Sequence, residues 1–559
     1  HPIDHLREQA AQQFQRTVAK RTRSLPEAAA AYRLRRGRHP PPAFDAWYRF
    51  AESKDAFVVE DFFDHIYDDL EPFWGVPARE IRAAAAGGDV VPSIVSVRNG
   101  TVSKTEDFWR INYWAELVRS VVDEGGYVPD VDMPVNNMDE SRVLVPWEDV
   151  EALVGAAGKE GRITENSSAV LDRYGGFGDL SQEVPVPVDW IHDHTEIWSL
   201  FQSTCPPDSP ARQNVEGIPD LSSPAADCMP VQYPEGSYEG YVSNWTIATD
   251  PCYHPHLRCL HGTFIAPISM ATSKRLVPIF GGSKLVRNNE ISIPAAMYWG
   301  DWQEYTGGDE HGIPWNKKTA GLVWRGTQSG GWNTAETWPH FHRHRFLSLL
   351  NGTKVSAATG QNDRSSLTFR LPPSSLYNIS ADQQNSSNLG PWISSLANAG
   401  FSELLCYPPE EGCAYAEPHF AVLPQIPMQA QYDYKLLPDI DGNSYSARFR
   451  AFLLSTSLPL KATIYREWHD SRLWPWLHFV PMDNSYVDLY GLVEYFLGGD
   501  GGRREAHDVE AAKMAMEGQE WARKVLRRED MQVYVHRLLL EYARVCRDER
   551  AVLGWVGDL

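Results

Sequence analysis

The stretch KLLPDIDGNSYSARFRAFLLSTSLPLKAT, residues 435–463, constrains the fold of this chain more than any other. An apolar run of strand length leads into a polar turn with a glycine, then a helical stretch, then a second apolar run. The same order occurs upstream, where AGLVWRGTQSGG (320–331) reads as strand and Gly-rich turn, and HFHRHRFLSLLNG (340–352) as the helix after it. Units of this kind build an open α/β sheet with helices on its faces. Ligands of such sheets bind outside the carboxyl ends of the strands, where both turns would lie.

At 559 residues the chain exceeds one ordinary core, so two α/β domains facing a cleft are expected. Residues 1–38 are charged, Ala-rich and helical in pattern, and the prolines at 40, 41 and 42 stop any helix. They suit a stem descending from a membrane anchor upstream of His1, or a helix packed on the body. DAWYRFAE and EDFFDHIYDDLEPFW continue at helical spacing and complete an N-terminal extension over residues 1–87. In residues 88–295 the runs VVPSIVSV, SRVLVPW, GTFIAPIS and LVPIFGG predict buried strands of a first domain. Residues 296–559 form the second, ending in helices interrupted by GGDGG at 498–502.

The net charge of −21, from 52 basic and 73 acidic side chains, argues against nucleic acid as a partner. Twenty Trp and 24 Tyr supply flat faces of the kind that suit sugar rings. Sequons at Asn99, Asn166, Asn244, Asn351, Asn378 and Asn385 point to the secretory pathway lumen. The seven cysteines agree with that compartment. Cys252 with Cys259 and Cys406 with Cys413 are close in sequence, and Cys205 with Cys228 makes a third possible pair, leaving Cys546. Spacing alone does not decide the connectivity.

Three arginines accompany the two turns: Arg325 in the first, Arg343 on the following helix and Arg448 after the second. Guanidinium forks bind phosphate oxygens in pairs, so their convergence would hold a diphosphate in an otherwise acidic protein. The alternative fate of each is a surface carboxylate. WRGTQSGG lacks both the GxGxxG spacing and a P-loop ending, which excludes those nucleotide sites. A second cluster, VPDVDMPVNNMDESR (128–142), carries Asp130, Asp132, Asp139 and Glu140. It suits a catalytic base, a metal-binding Asp-X-Asp or an acidic turn. His192, Asp193 and His194 form a further possible metal group, and His478 is either a site residue or a core residue.

WRGTQSGG, DGNSYSARFRAFLLSTSLPLK, EWHDSRLWPWLHFVPMD and GQEWARKVL, in this order, resemble the capsule-associated-protein-type glycosyltransferases of family 90. That family includes protein O-glucosyltransferases and fungal β-xylosyltransferases. HGTFIAPIS, NNEISIPAAMYW and VPDVDMPVNNMDESR match it more loosely, and YRLRRGRHPPPAFDAWYRFA is similar to the fungal members. The resemblance implies a GT-B-like fold of two Rossmann-like domains, a UDP-sugar donor, inversion at the anomeric carbon and no divalent metal or tightly bound cofactor. It places the donor on Arg325, Gly326, Thr327, Ser329, Gly442, Ser446 and Arg448, with Arg343, or Arg345 at a shifted spacing, beside them. The base toward the acceptor hydroxyl falls on Asp139, with Asp132 and Glu140 next in line. Glu140 and Ser141 follow Asp139 where the O-glucosyltransferases have an aromatic and a proline, a departure that bears on the acceptor more than on the base. The implied reaction is transfer of xylose from UDP-xylose to a mannose-containing glycan in the Golgi, with transfer from UDP-glucose or another UDP-hexose to protein or polysaccharide as the alternative. A glycoside hydrolase and a non-catalytic glycan-binding protein are the competing classes.

Overall fold

The computed structural model describes residues 1–87, 93–160, 167–176, 188–193, 197–213, 220–269, 271–382 and 388–559. Asn166, His194 and Asn385 lie outside them, as do the first residues of the VVPSIVSV run.

Helices α1 (Pro2–Val18) and α2 (Leu25–Arg36) open the chain. Ser24 caps α2 by accepting from the Glu27 amide, and Gly37 ends it in the left-handed region at φ 65°. These helices are packed on the body and do not stand away from it as a stem. Ile3 and Leu6 are buried with Trp198 and Phe201, and the Tyr32 hydroxyl donates to buried Glu541 at 3.0 Å. Arg33 forms a bidentate pair with Asp558 at 2.8 and 2.5 Å. The apolar stripe wins over the high charge because its positions face a ready core.

Strands β1 (Ile94–Arg98), β2 (Thr101–Lys104) and β3 (Val131–Pro134) form an antiparallel sheet in the order β2-β1-β3, covered by α3 (Trp109–Asp123). Of the other runs predicted as strands in this half, LVPIFGG holds only the two-residue strand Phe280–Gly281 and SRVLVPW a single bridge, Val143 to Ser273. GTFIAPIS is instead a helical turn, Gly262–Ile265, with the His261 ring accepting from the Thr263 amide. Short apolar runs are buried in either conformation, so hydrophobicity alone does not separate them.

The second half carries the expected parallel sheet. Its strands are β4 (Thr319–Thr327), β5 (Ala397–Glu403), β6 (Tyr434–Ile440), β7 (Leu458–Ala462) and β8 (Val480–Pro481), ordered β5-β4-β6-β7-β8. All neighbours are parallel. Helix α4 (His342–Leu350) follows the β4 turn and α5 (Phe449–Leu454) the β6 turn. The chain goes from β4 out to β5, then returns past β4 to β6. The order therefore reverses between β4 and β6, and a crevice opens there at the strand ends.

Helices α6 (Leu489–Leu497), α7 (Asp508–Val525) and α8 (Arg528–Val545) end the chain. Although last in sequence, α8 is buried among first-half elements. The Trp47 indole donates to Val533 O at 3.0 Å, and Tyr542 to Asp132 O at 3.1 Å.

Cysteine pairing follows sequence proximity at Cys406 and Cys413 and departs from it at the other two disulfides. The disulfides are Cys205–Cys252, Cys228–Cys259 and Cys406–Cys413, and Cys546 is a buried thiol. The crossed pairing arises because the Pro255–Cys259 turn carries Cys252 and Cys259 to different neighbours. The described sequon asparagines, at 99, 244, 351 and 378, are all exposed. Among the described residues no helix is long and apolar enough to cross a membrane.

Candidate active site

A cavity of about 700 Å3 occupies the crevice between the ends of β4 and β6. Arg325, Gly326, Thr327 and Ser329 line it from the β4 turn, and Gly442, Ser446 and Arg448 from the β6 turn. Arg343 reaches it from α4, and Asp139 from the loop after β3. The site residues read from the sequence thus share one cavity. Arg345 points elsewhere, donating to Leu260 O at 3.0 Å and Ser485 O at 2.7 Å.

The three guanidinium groups have different tasks. Arg343 ties the turns together, donating to Asp441 O at 2.7 Å, Thr327 O at 2.9 Å and Ser329 Oγ at 2.6 Å. Burial, with Arg448 nearby, pushes it down to about 9. Arg325 is turned toward the β5 side, donating to Asn398 O at 2.9 Å, Asn398 Oδ1 at 2.7 Å and Pro424 O at 3.1 Å. Arg448 donates from one terminal nitrogen to Arg325 O at 2.5 Å. Its other terminal nitrogen is buried and has no hydrogen-bond partner among the described residues, and the same holds for Ser446 Oγ. None of these three arginines forms an ion pair with a carboxylate among the described residues. A buried cation without a counter-ion is costly, and burial lowers the pKa of Arg448 accordingly. An anionic ligand at this point would relieve that cost.

Backbone geometry supports close approach at the β4 turn. Gly330 and Gly331 have φ of 120° and 123°, conformations that L side chains rarely adopt. A Cβ at Gly330 would also lie 2.6 Å from the His342 ring.

Asp139 is the single carboxylate lining the cavity among the described residues. It pairs with Arg110 and accepts from Asn443 Nδ2 at 3.0 Å. Asn443 escaped the sequence reading, although it sits in the DGNSYSARF turn that drew attention to Gly442. Its Oδ1 accepts from the Gly330 amide at 2.9 Å, so it bridges both turns and Asp139. Tyr305, Gln425 and Tyr445 also line the cavity, and no local motif marked them.

The remaining acidic candidates are engaged elsewhere. Asp132 accepts from Ser96 Oγ and Arg98, both at 2.6 Å, and Asp130 accepts from the Asn99 amide at 2.7 Å. Glu140 is buried away from the cavity, accepting from the amides of Ile268 at 2.7 Å and Ser269 at 3.2 Å. Burial raises its pKa. Among the described residues the paired carboxylates of a glycoside hydrolase are therefore not assembled in this cavity. Among the described residues no three His, Cys, Asp or Glu side chains gather as a metal site. His192 is exposed. His478 is a core residue whose Nδ1 accepts from the Trp474 amide at 3.1 Å and whose ring stacks on Trp521.

Residues 419–552 match the model of glycosyl transferase family 90. This stretch is similar to the glycosyltransferases of family 90. This region includes the β6 turn with Gly442, Asn443, Ser446 and Arg448, together with the three terminal helices. The chain is 30% identical over 115 residues to protein O-glucosyltransferase 2 of Danio rerio. It is 33% identical over 113 residues to protein O-glucosyltransferase 3 of Mus musculus, and 32% over the same length to that of Homo sapiens. Each match covers 20% of this chain and 21% of the relative. The chain thus spans about a fifth of the length of the curated relatives it matches. Outside the family 90 region, Arg325, Arg343 and Asp139 join the same cavity by folding.

Proposed function

We propose that this chain is an inverting glycosyltransferase that uses a UDP-sugar, most specifically UDP-xylose, to glycosylate a hydroxyl of a mannose-containing glycan. The observation that carries this reading is the set of buried guanidinium groups without carboxylate partners, at the reversal point of the sheet in a chain with a family 90 region. The diphosphate would lie against Arg448 and the Ser446 hydroxyl, the two groups whose polar atoms have no partner among the described residues, with Arg343 holding the two turns at the spacing it needs. Charge developing on the departing UDP is then met by preorganised donors. Asp139, across the cavity, takes the proton of the acceptor hydroxyl as its oxygen attacks the anomeric carbon. The bond from that carbon to the diphosphate oxygen breaks, and its electron pair leaves with UDP. Attack from the face opposite the leaving group inverts the anomeric centre, and a GT-B-like cleft between the two halves of the chain would hold donor and acceptor on its two sides.

Xylose is favoured by the likeness of the stretch YRLRRGRHPPPAFDAWYRFA (32–51) to fungal members of the family. A second reading, transfer of glucose from UDP-glucose, is favoured by the protein O-glucosyltransferase relatives. Three disulfides and four exposed sequon asparagines support a place in the secretory lumen, with the Golgi as the specific expectation. The deciding experiment is UDP release against a panel of nucleotide sugars, with and without mannosides. Turnover of UDP-xylose stimulated by a mannoside is expected. Turnover of UDP-glucose alone would replace xylose by the second reading, and absence of UDP binding would overturn the donor site.

A further inference from the structure

The Asp139 carboxylate faces two spaces. One is the cationic cavity; the other is a shallow hollow lined by Trp109, Arg110 and Met138. The two share Asp139, Met297, Ser444 and Tyr445 as walls. From the hollow an aromatic shelf runs back to the cavity rim. The rings of Trp109 and Trp302 are 5.2 Å apart, those of Trp302 and Tyr305 5.7 Å, and Tyr305 itself lines the cavity. Arg110 joins shelf and carboxylate, lying 4.8 Å over the Trp109 ring while pairing with Asp139.

This shelf is open to water. Trp302 is 39% exposed, Phe108 40% and Met138 42%, three large apolar side chains on one rim of one site. Exposed apolar surface concentrated beside a polar cavity marks a place where something binds. The rim is polar: Asn112 donates to Asp107 Oδ1 at 2.9 Å, and Asp301 pairs with Arg528. A pyranose ring has an apolar face of C–H groups and an edge of hydroxyls. Its face would cover indole, and its hydroxyls would find the amide and carboxylates of the rim. An apolar peptide side chain would cover the same rings but strip water from the rim carboxylates without replacing it.

We propose that the Trp109–Trp302 shelf is the acceptor subsite and that its ligand is a carbohydrate ring of a glycan, not a side chain of an unglycosylated protein. The inference rests on the transfer reading above and adds the residues that would seat its acceptor. A ring seated on Trp302 and Trp109 presents one hydroxyl at Asp139, with the donor cavity directly beyond. Phe108 and Met138 extend the shelf outward, so a second sugar residue is accommodated.

The test measures retention of the whole chain on an array of immobilised glycans and unglycosylated peptides, with and without UDP. Wild type, Trp302→Ala, Trp109→Ala and Trp302→Phe are compared, with UDP affinity by calorimetry and Tm on each. Retention on a glycan that falls at least tenfold in both alanine variants, returns in Trp302→Phe and leaves UDP affinity within twofold is expected. Equal retention by the alanine variants would overturn the shelf, and so would retention on peptides only or on nothing. Loss of UDP affinity in wild type would count against the donor reading alone, because glycan retention without UDP still reports on the shelf.

Discussion

Asn443 and Asp139, 304 residues apart in sequence, are joined by a hydrogen bond of 3.0 Å from Nδ2 to Oδ2. The same amide accepts from the Gly330 N–H at 2.9 Å. One side chain of the β6 turn therefore sets the orientation of the cavity carboxylate and the shape of the β4 turn together. Removing it should loosen the base without emptying the donor site. Asn443→Ala is expected to lower kcat by about tenfold or more, in line with the sensitivity of rate to small misplacements. UDP affinity should change only a few-fold. Turnover kinetics alongside calorimetry check this; an unchanged kcat would show that Arg110 alone orients Asp139.

Asp139→Asn keeps the shape but removes the proton acceptor, and its single amide oxygen can accept from only one of Asn443 and Arg110. Loss of general-base assistance costs about 100- to 10,000-fold in rate. Transfer should fall by that factor while UDP binds within a few-fold of wild type. Survival of transfer would move the base off Asp139. Glu140 and Asp132 would not inherit the role easily, since their carboxylates are committed to the Ile268 and Ser269 amides and to Ser96 and Arg98.

Arg448 and Arg325 looked equivalent as members of two turn motifs, and the structure separates them. Arg448 has a buried nitrogen without a partner among the described residues, whereas Arg325 is spent on the carbonyls of Trp324, Asn398 and Pro424. A hydrogen bond from a charged group is worth about 1.5–3 kcal/mol. Arg448→Ala should accordingly weaken UDP by roughly 10- to 100-fold with little change in Tm. Arg325→Ala should instead lower Tm and weaken UDP less. Thermal unfolding and calorimetry on both variants check the division; equal loss of UDP affinity would put Arg325 on the ligand too.

What the sequence made legible follows from how local each signal was. The β4 and β6 turns were readable because strand, glycine and helix are adjacent in the chain. Asp139 was one of four clustered carboxylates and was singled out only through resemblance, as nothing in NNMDE shows that its partner is Asn443. GTFIAPIS was misread as a strand because a buried helical turn and a buried strand have the same apolar run. Proximity gave Cys406–Cys413 and the lone Cys546 but not the other two pairs, since Cys205 meets Cys252 at a sequence separation of 47. The packed α1 and α2 depended on a distant partner, the buried Glu541 on α8, that no local pattern announces.

Asp441 gives a pH dependence of defined sign. It is buried at the end of β6, one residue before Gly442, and burial pushes its carboxyl up to about 7 against the pull of Thr463 and Lys461. His261 lies 3.5 Å away, but burial holds that ring down to about 3, so it contributes no charge near neutrality. Lys461 is drawn mainly to Asp439. The folded state therefore prefers the neutral acid. Stability from Asp441 is complete below its ordinary unfolded value near 4 and is lost as pH rises through 7. Asp441→Asn removes that loss while leaving an oxygen to accept from the Ile464 amide. The Tm difference between variant and wild type should be small at pH 5 and grow in favour of the variant by pH 8, by roughly 2 °C or more. Glu290, also raised by burial to about 7, is present in both proteins and cancels in the comparison. A difference that stays constant from pH 5 to pH 8 would mean that Asp441 is already ionised in the folded chain at pH 5.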